Sequence, residues 1–300
     1  MRLGDTVKNL RGHIRSDARF RGSIVYKIIT WIRNPRYAAL KLREARFYTQ
    51  LLGKGRFGLI FDLGASVGGK AEIFRRHGRV VCVEPSAAAV KVLRARFAHC
   101  PDVEVLEAAI SNGSGYGTLL EFEPGSAYNT LSEKWAWALS EKSRNRFGVS
   151  MPAPAEKLVR LMTIDQLTSR YGQPRYIKID VEGFECLAIK GMNQPCELLS
   201  AEVNLPEFAQ ELAELSSRLQ QIDGDALFNV AISEPPMKFE FSDWVPGSVT
   251  LERIKGAGWQ YVELFCRMNV NRNAALKPEG QSSVASLHRR PSFPGNQLRR

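Results

Sequence analysis

Phe61-Asp62-Leu63-Gly64-Ala65-Ser66-Val67-Gly68-Gly69 joins an apolar run at 59–63 to a stretch of helical pattern at 67–76. Glycines between a strand and a helix allow a tight turn and let a ligand approach the backbone with no Cβ in the way. The helix beyond offers unpaired N–H groups at its start. Outward from this loop the same alternation repeats. Strands are predicted at 79–83, 103–109, 176–179, 198–203, 226–232 and 261–266, and helices at 86–98, 184–191 and 206–219. Apolar strands alternating with helices imply an α/β fold, a doubly wound and mostly parallel sheet covered on both faces.

The chain on either side differs in character. Residues 1–56 read as a basic, helical N-terminal extension with Pro35 as a break. Leu40, Arg43, Phe47 and Leu51 fall at helical spacing, so its last helix is expected to pack on the core. Residues 57–266 form the main domain, interrupted at about 111–160 by a Gly-, Ser- and Pro-rich insertion that also holds aromatics. A long irregular insertion in a compact domain is usually a lid or a substrate wall. Residues 267–300 have the composition of a disordered basic tail.

The net charge of +11 looks like a nucleic-acid signal until it is divided. Residues 1–56 carry 14 Lys/Arg against 3 Asp/Glu and residues 267–300 carry 7 against 1, whereas 57–266 hold 21 against 27. The core is therefore mildly acidic, and the basicity sits at the ends, where solvated helix faces and a tail account for it. A basic N-terminus also permits peripheral contact with an anionic membrane. No stretch approaches the roughly 18 apolar residues of a transmembrane helix, and the N-terminus lacks the apolar block of a signal peptide. Five scattered cysteines without a C-x-x-C pair argue for reduced thiols in a cytoplasmic protein, and against a zinc site or disulfide framework.

The loop itself discriminates between ligands. A dinucleotide site would show Gly-x-Gly-x-x-Gly, but here Gly64 is followed by Gly68-Gly69, and Asp62 leads. An acidic residue there repels pyrophosphate and suits a ligand bearing an ammonium and a sulfonium, as S-adenosylmethionine does. The second strand ends in Val83-Glu84-Pro85, about twenty residues on. A carboxylate at that place accepts two hydrogen bonds from a ribose diol. Together the two features point to an adenosine-type cofactor.

Tyr176-Ile177-Lys178-Ile179-Asp180-Val181-Glu182-Gly183-Phe184-Glu185 closes another strand with three carboxylates in six residues. Reactive groups of open α/β sheets collect beyond such strand ends. Asp180 and Glu182 are expected there, and Glu185 in the first turn of the next helix, where the dipole favours its charge. Capping and solvation would explain Glu185 equally well.

On these residues the chain resembles the FkbM-type methyltransferases. The resemblance rests on 61–68, on Val-Glu-Pro (83–85), on Ala-Ile-Ser-Asn-Gly (109–113), on Met-Thr-Ile-Asp-Gln-Leu (162–167), on 177–185 and on Lys190-Gly191, in family order across about 57–205. Ser66 stands where the family often has Asn. The resemblance implies a class I (Rossmann-like) methyltransferase fold, S-adenosylmethionine as donor, and commonly O-methylation of a sugar, glycan or secondary-metabolite hydroxyl. By matching position it implies that Asp62, Gly64, Ala65, Gly68 and Glu84 bind cofactor, with Ala109 and Ile110 bordering the adenine. Asp180 and Glu182 would then face the methyl group and the acceptor.

An activated methyl donor mainly requires alignment, and a base adds roughly 10²–10⁴-fold for a hydroxyl acceptor. The four histidines are expected away from the site, which leaves Asp180 as first choice of base and Glu182 as second, with Lys178 as an outside candidate expected to point into a helix–sheet contact. Two carboxylates can also hold a divalent metal, but no complete ligand set is visible, so none is assigned. Tyr128, Trp135 and Trp137 are candidates for stacking on the acceptor, and Glu202 and Asn204 for lining its pocket. The competing readings are a catalytically inactive methyltransferase-like scaffold and a nucleic-acid methyltransferase. The intact carboxylates oppose the first; the acidic core and the lack of an Asn-Pro-Pro-Tyr segment oppose the second. Oligomeric state has no sequence signal.

Overall fold

The computed structural model describes residues 34–270 apart from 56–57, 141–150, 152, 234–235 and 237, so the expectations for 1–33 and 271–300 lie outside the described residues. In chain order come α1 (Pro35–Leu52), β1 (Leu59–Leu63), α2 (Ala71–Phe74), β2 (Arg79–Glu84), α3 (Ala87–Arg96) and β3 (Val103–Glu107). Then follow β4 (Ala109–Ile110), β5 (Gly115–Glu121), α4 (Glu133–Ser140), β6 (Ala155–Met162), α5 (Ile164–Tyr171), β7 (Pro174–Ile179) and α6 (Glu185–Lys190). The chain continues through β8 (Leu198–Asn204), α7 (Ala209–Ile222), β9 (Leu227–Ala231), β10 (Val245–Pro246), α8 (Gly247–Lys255) and β11 (Tyr261–Arg267).

The large sheet has the order β10-β9-β11-β8-β7-β1-β2-β3. Pairings β1–β2, β1–β7, β2–β3 and β7–β8 are parallel, whereas β11 runs antiparallel between β8 and β9. The sheet is thus doubly wound and mostly parallel, and its winding reverses between β1 and β7.

Successive residues of a strand face opposite sides, and the core divides accordingly. Leu59, Phe61, Leu63, Ile177, Ile179, Leu199 and Ala201 pack with α4 to α7. Ile60, Val80, Cys82, Tyr176 and Leu198 face the other way, onto Phe47 and Tyr48 of α1, Phe74 of α2 and Leu93 of α3. Pro35 opens α1 rather than breaking it, a position where its missing N–H costs nothing. The buried stripe of α1 is Ala38, Glu44, Phe47, Tyr48 and Leu52, while Leu40 is exposed. A charged residue therefore sits on the face expected to be apolar.

Two expectations are corrected. The helix after the glycine loop is one turn, α2, not 67–76, because Gly68 adopts a φ of +80° and holds the first half of that stretch in a loop. The segment 111–160 is not irregular throughout. β5 and β6 form an antiparallel pair that joins β4 in a second, three-stranded sheet, and α4 lies between them. Towards the C-terminus, Met268 and Asn269 still donate backbone hydrogen bonds to Glu197 and Asp223.

Candidate active site

The carboxyl ends of β1 and β7 open a crevice at the reversal of winding, where ligands of such sheets bind. A cavity of about 670 Å³ fills it, a size typical of small-molecule sites. Gly64, Ala65, Ser66, Val67, Gly69 and Lys70 form its floor; Val83, Glu84, Pro85, Ala109 and Ile110 line the β2 side. Tyr128, Trp135, Asp180, Glu182, Glu202 and Asn204 line the β7–β8 side. Asp62 and Gly68 stand behind this wall, Asp62 being 1% exposed.

The glycines serve the protein's own packing. A Cβ on Gly64 would overlap the carbonyl oxygen of Asp180, and one on Gly68 would strike Phe97 and Leu93. Backbone bonds lock this arrangement: Gly64 and Ala65 N–H donate to Val83 O, and Asp180 N–H donates to Leu63 O. Ser66 is left with a φ of +47°, a conformation that Asn tolerates better than Ser. Its N–H, 2.8 Å away, donates to Glu84 Oε2, and Ser86 N–H donates to Oε1 at 2.9 Å. Glu84 is thereby aimed before any ligand arrives. Burial raises its pKa, and the two amide donors partly offset that.

Asp62, Lys178, Glu202 and Glu263 occupy the α1-facing side of four adjacent strands. Asp62 lies opposite Lys178, and Glu202 opposite Glu263. Lys178 does lie between sheet and helix, as expected, but its ammonium is 3.2 Å from Asp180, 3.6 Å from Glu202 and 3.7 Å from Glu263. Burial alone would discharge it. Each carboxylate at about 4 Å contributes about 4 kcal/mol at an effective dielectric near 20, so three outweigh a desolvation cost of several kcal/mol. The pKa of Lys178 is accordingly raised well above that of an ordinary lysine. Tyr48 of α1 donates to Glu263, extending the network under the sheet.

Two of these carboxylates each leave one oxygen without a hydrogen-bond partner, Glu263 its Oε2 and Asp62 its Oδ2. Burial pushes the pKa of Asp62 up to about 7, against the pull of Lys178. From behind the loop its charge favours a ligand bearing positive charge in the cavity. Preset Glu84, the cavity beside it and the carboxylate of Asp62 behind the loop fit a ligand with a ribose at one end and cationic groups at the other.

The 181–185 loop is held from inside. Glu185 is buried, not solvated, and its Oε1 accepts from Val181 and Gly183 N–H, with a pKa pushed up to about 7 by burial. Glu182 adopts a φ of +52°. Its carbonyl accepts from Thr130 and its Oε2 accepts from Trp135 Nε1 at 3.0 Å. Trp135 is 2% exposed and packs on Phe208, so it is a wall and a donor rather than an open stacking platform. Trp137 is exposed and does not line the cavity. Tyr128, Glu202 and Asn204 do line it, joined by Lys41, Ile232, Gln260 and Tyr261, which sequence reasoning missed. Glu263 was equally hidden as a site component, since a polar residue on a strand ordinarily signals a solvent face.

No protein of curated function matches the chain. Distant structural likenesses include a TehB-like SAM-dependent methyltransferase from Corynebacterium glutamicum (9% identity, 81% of this chain and 100% of that one, TM-score 0.37). A precorrin-6y C5,15-methyltransferase from Geobacter metallireducens is another (11%, 77% and 87%, TM-score 0.33). A third is the plantazolicin methyltransferase BpumL with S-adenosylhomocysteine (9%, 89% and 98%, TM-score 0.38). The decisive match is in sequence. The Methyltransferase FkbM domain spans residues 62–219, from the buried aspartate of the glycine loop to α7. The chain belongs to that family of S-adenosylmethionine-dependent methyltransferases.

Proposed function

We propose that this methyltransferase acts on a hydroxyl group of a sugar, glycan or hydroxylated secondary metabolite, with Asp180 as general base. When bound, the cofactor supplies a methyl group already activated on a sulfonium. The chain has then to hold donor and acceptor in line and to receive the hydroxyl proton. Glu84 takes the ribose hydroxyls, Ala109 and Ile110 border the adenine, and the loop from Gly64 to Gly69 carries the chain past the rest of the donor. Asp62 supplies negative charge from behind the loop.

The observation that carries the reading is the position of Asp180. It ends β7 on the same cavity as Glu84, with its Oδ2 fixed by Lys178. That contact holds the carboxylate in one place while the proton passes to it from the acceptor hydroxyl as the new C–O bond forms. Glu182, Glu202, Asn204 and Tyr128 offer hydrogen bonds to further hydroxyls, as a polyhydroxylated acceptor requires. We take 57–266 as the catalytic unit, with the segment 111–160 as one acceptor wall.

The test is to incubate the purified chain with labelled cofactor and cell-extract metabolites and identify the methylated product by NMR. An O-methyl product is expected; a C- or N-methyl product overturns the hydroxyl assignment. Asp180→Asn should lower kcat by about 10²–10⁴-fold with cofactor affinity unchanged. Full activity of that variant would remove Asp180 as base.

A further inference from the structure

The FkbM match begins at residue 62, yet helix α1, upstream of it, reaches the cavity. Glu44 of α1 is fully buried, and its two oxygens accept from two ammonium groups: Lys70 Nζ at 2.6 Å and Lys41 Nζ at 2.6 Å. Burial would raise the Glu44 pKa, but the two lysines overrule it and hold it below the usual carboxylate range. The two lysines share Glu44, and Glu263 acts on Lys70 as well. Lys41 and Lys70 are the two cations among the cavity-lining residues; the other charged groups there are Glu84, Asp180, Glu182 and Glu202.

S-adenosylmethionine carries an adenosine at one end and an amino acid, with both ammonium and carboxylate, at the other. An acid-lined cavity welcomes the sulfonium and the ammonium but repels the carboxylate, which needs a cation when it is desolvated. Lys70 follows directly on the glycine loop. It pairs with Glu44 of α1 and lies over the ring of Tyr48, whose hydroxyl donates to Glu263 of β11, a strand on the other side of β1 from Glu84. It therefore stands on the side away from the ribose-binding carboxylate. An ammonium has three donors; Glu44 takes one, and Tyr48 steadies the group with its ring, 5.7 Å away.

We propose that Lys70, pinned by Glu44 with Lys41 beside it, binds the carboxylate of the cofactor's amino-acid end. Helix α1, outside the family domain, is then part of the donor site. The proposal rests on the cofactor assignment.

The test compares two ligands by calorimetry on the full chain. S-adenosylhomocysteine has the amino-acid end, and 5′-methylthioadenosine has the same adenosine and sulfur without it. Lys70→Met should weaken S-adenosylhomocysteine roughly 10–100-fold, the worth of a charge-assisted hydrogen bond, and leave 5′-methylthioadenosine unchanged. Lys70→Arg, which keeps the cation, should recover most of the loss. Lys41→Ala, at a partly exposed residue, should cost S-adenosylhomocysteine several-fold and 5′-methylthioadenosine nothing. Equal weakening of both ligands by Lys70→Met, or no weakening of S-adenosylhomocysteine by either Lys70→Met or Lys41→Ala, overturns the proposal. Failure of the unaltered chain to bind either ligand would bring down the cofactor assignment instead, and the proposal with it.

Discussion

The two sides of the cavity are built by different means. On the β2 side the backbone does the shaping: Gly64 and Ala65 hang from Val83, and Ser66 and Ser86 N–H aim Glu84. Apart from Ala109 and Ile110, everything there comes from two consecutive strand–turn units. On the β7–β8 side the walls are side chains gathered from Tyr128 to Tyr261, held in place by ion pairs and by the Trp135–Glu182 bond. A common donor can be met by a fixed local motif. An acceptor, which no such motif specifies, can be met by scattered residues that change singly without disturbing the turn.

If that contrast is right, damage on the β2 side should appear in donor affinity alone. Glu84→Gln keeps the shape but loses the charge, and should weaken S-adenosylhomocysteine roughly 10–100-fold in calorimetry while acceptor KM stays put. A matching rise in acceptor KM would break the division.

Next comes pH. With its pKa raised to about 7, Asp62 is mostly protonated below that value in the ligand-free chain. A cationic ligand prefers it ionised, so donor affinity should fall about tenfold per unit as pH drops below about 7 and level off above. The raised pKa also means that Asp62 favours the ligand-free fold at low pH. That contribution is lost as pH rises from about 4 through about 7, and bound ligand should restore it. Asp62→Asn should flatten both profiles, and an unchanged profile in this variant would dismiss Asp62 as the sensor.

On the other side, Trp135→Phe keeps an aromatic wall but deletes the donor to Glu182. Acceptor KM should rise roughly 3–10-fold, the worth of one such bond, with donor affinity unmoved. The smallest effect expected is at Ser66, whose left-handed backbone favours Asn. Ser66→Asn should stabilise the chain by about 0.5 kcal/mol, raising Tm by about 1–2 °C, without altering acceptor kinetics.

The same contrast explains what the sequence disclosed. β1, β2, β7 and β8 are short apolar runs whose ends carry Asp62, Glu84, Asp180 and Glu202, so order and polarity sufficed to find them. Glu44 and Glu263 were not legible as site members, and Lys178 only as an outside candidate for the base, because a charged residue is buried only where partners from other elements neutralise it, and those partners are far away in sequence. β5 and β6 were missed because their exposed faces blur the apolar alternation, leaving Leu158 and Tyr116 in solvent. α5 had a readable sign, the capping box of Thr163 and Gln166, inside a stretch taken only as part of a motif. Trp135 looked like a stacking ring because nothing in its neighbourhood announces Phe208 and Glu182.

The close approach of Gly64 to the Asp180 carbonyl constrains how this enzyme can diversify. Any larger residue at 64 displaces the backbone of the residue proposed as base, so the loop that serves the donor and the strand end that serves the reaction form one steric unit. Mutational paths that retune the donor loop through position 64 are closed, however well the rest of the chain tolerates them. Variation is channelled instead to the outlying walls: the 111–160 segment and the last strand. A lineage can then acquire new acceptors while its chemistry stays fixed.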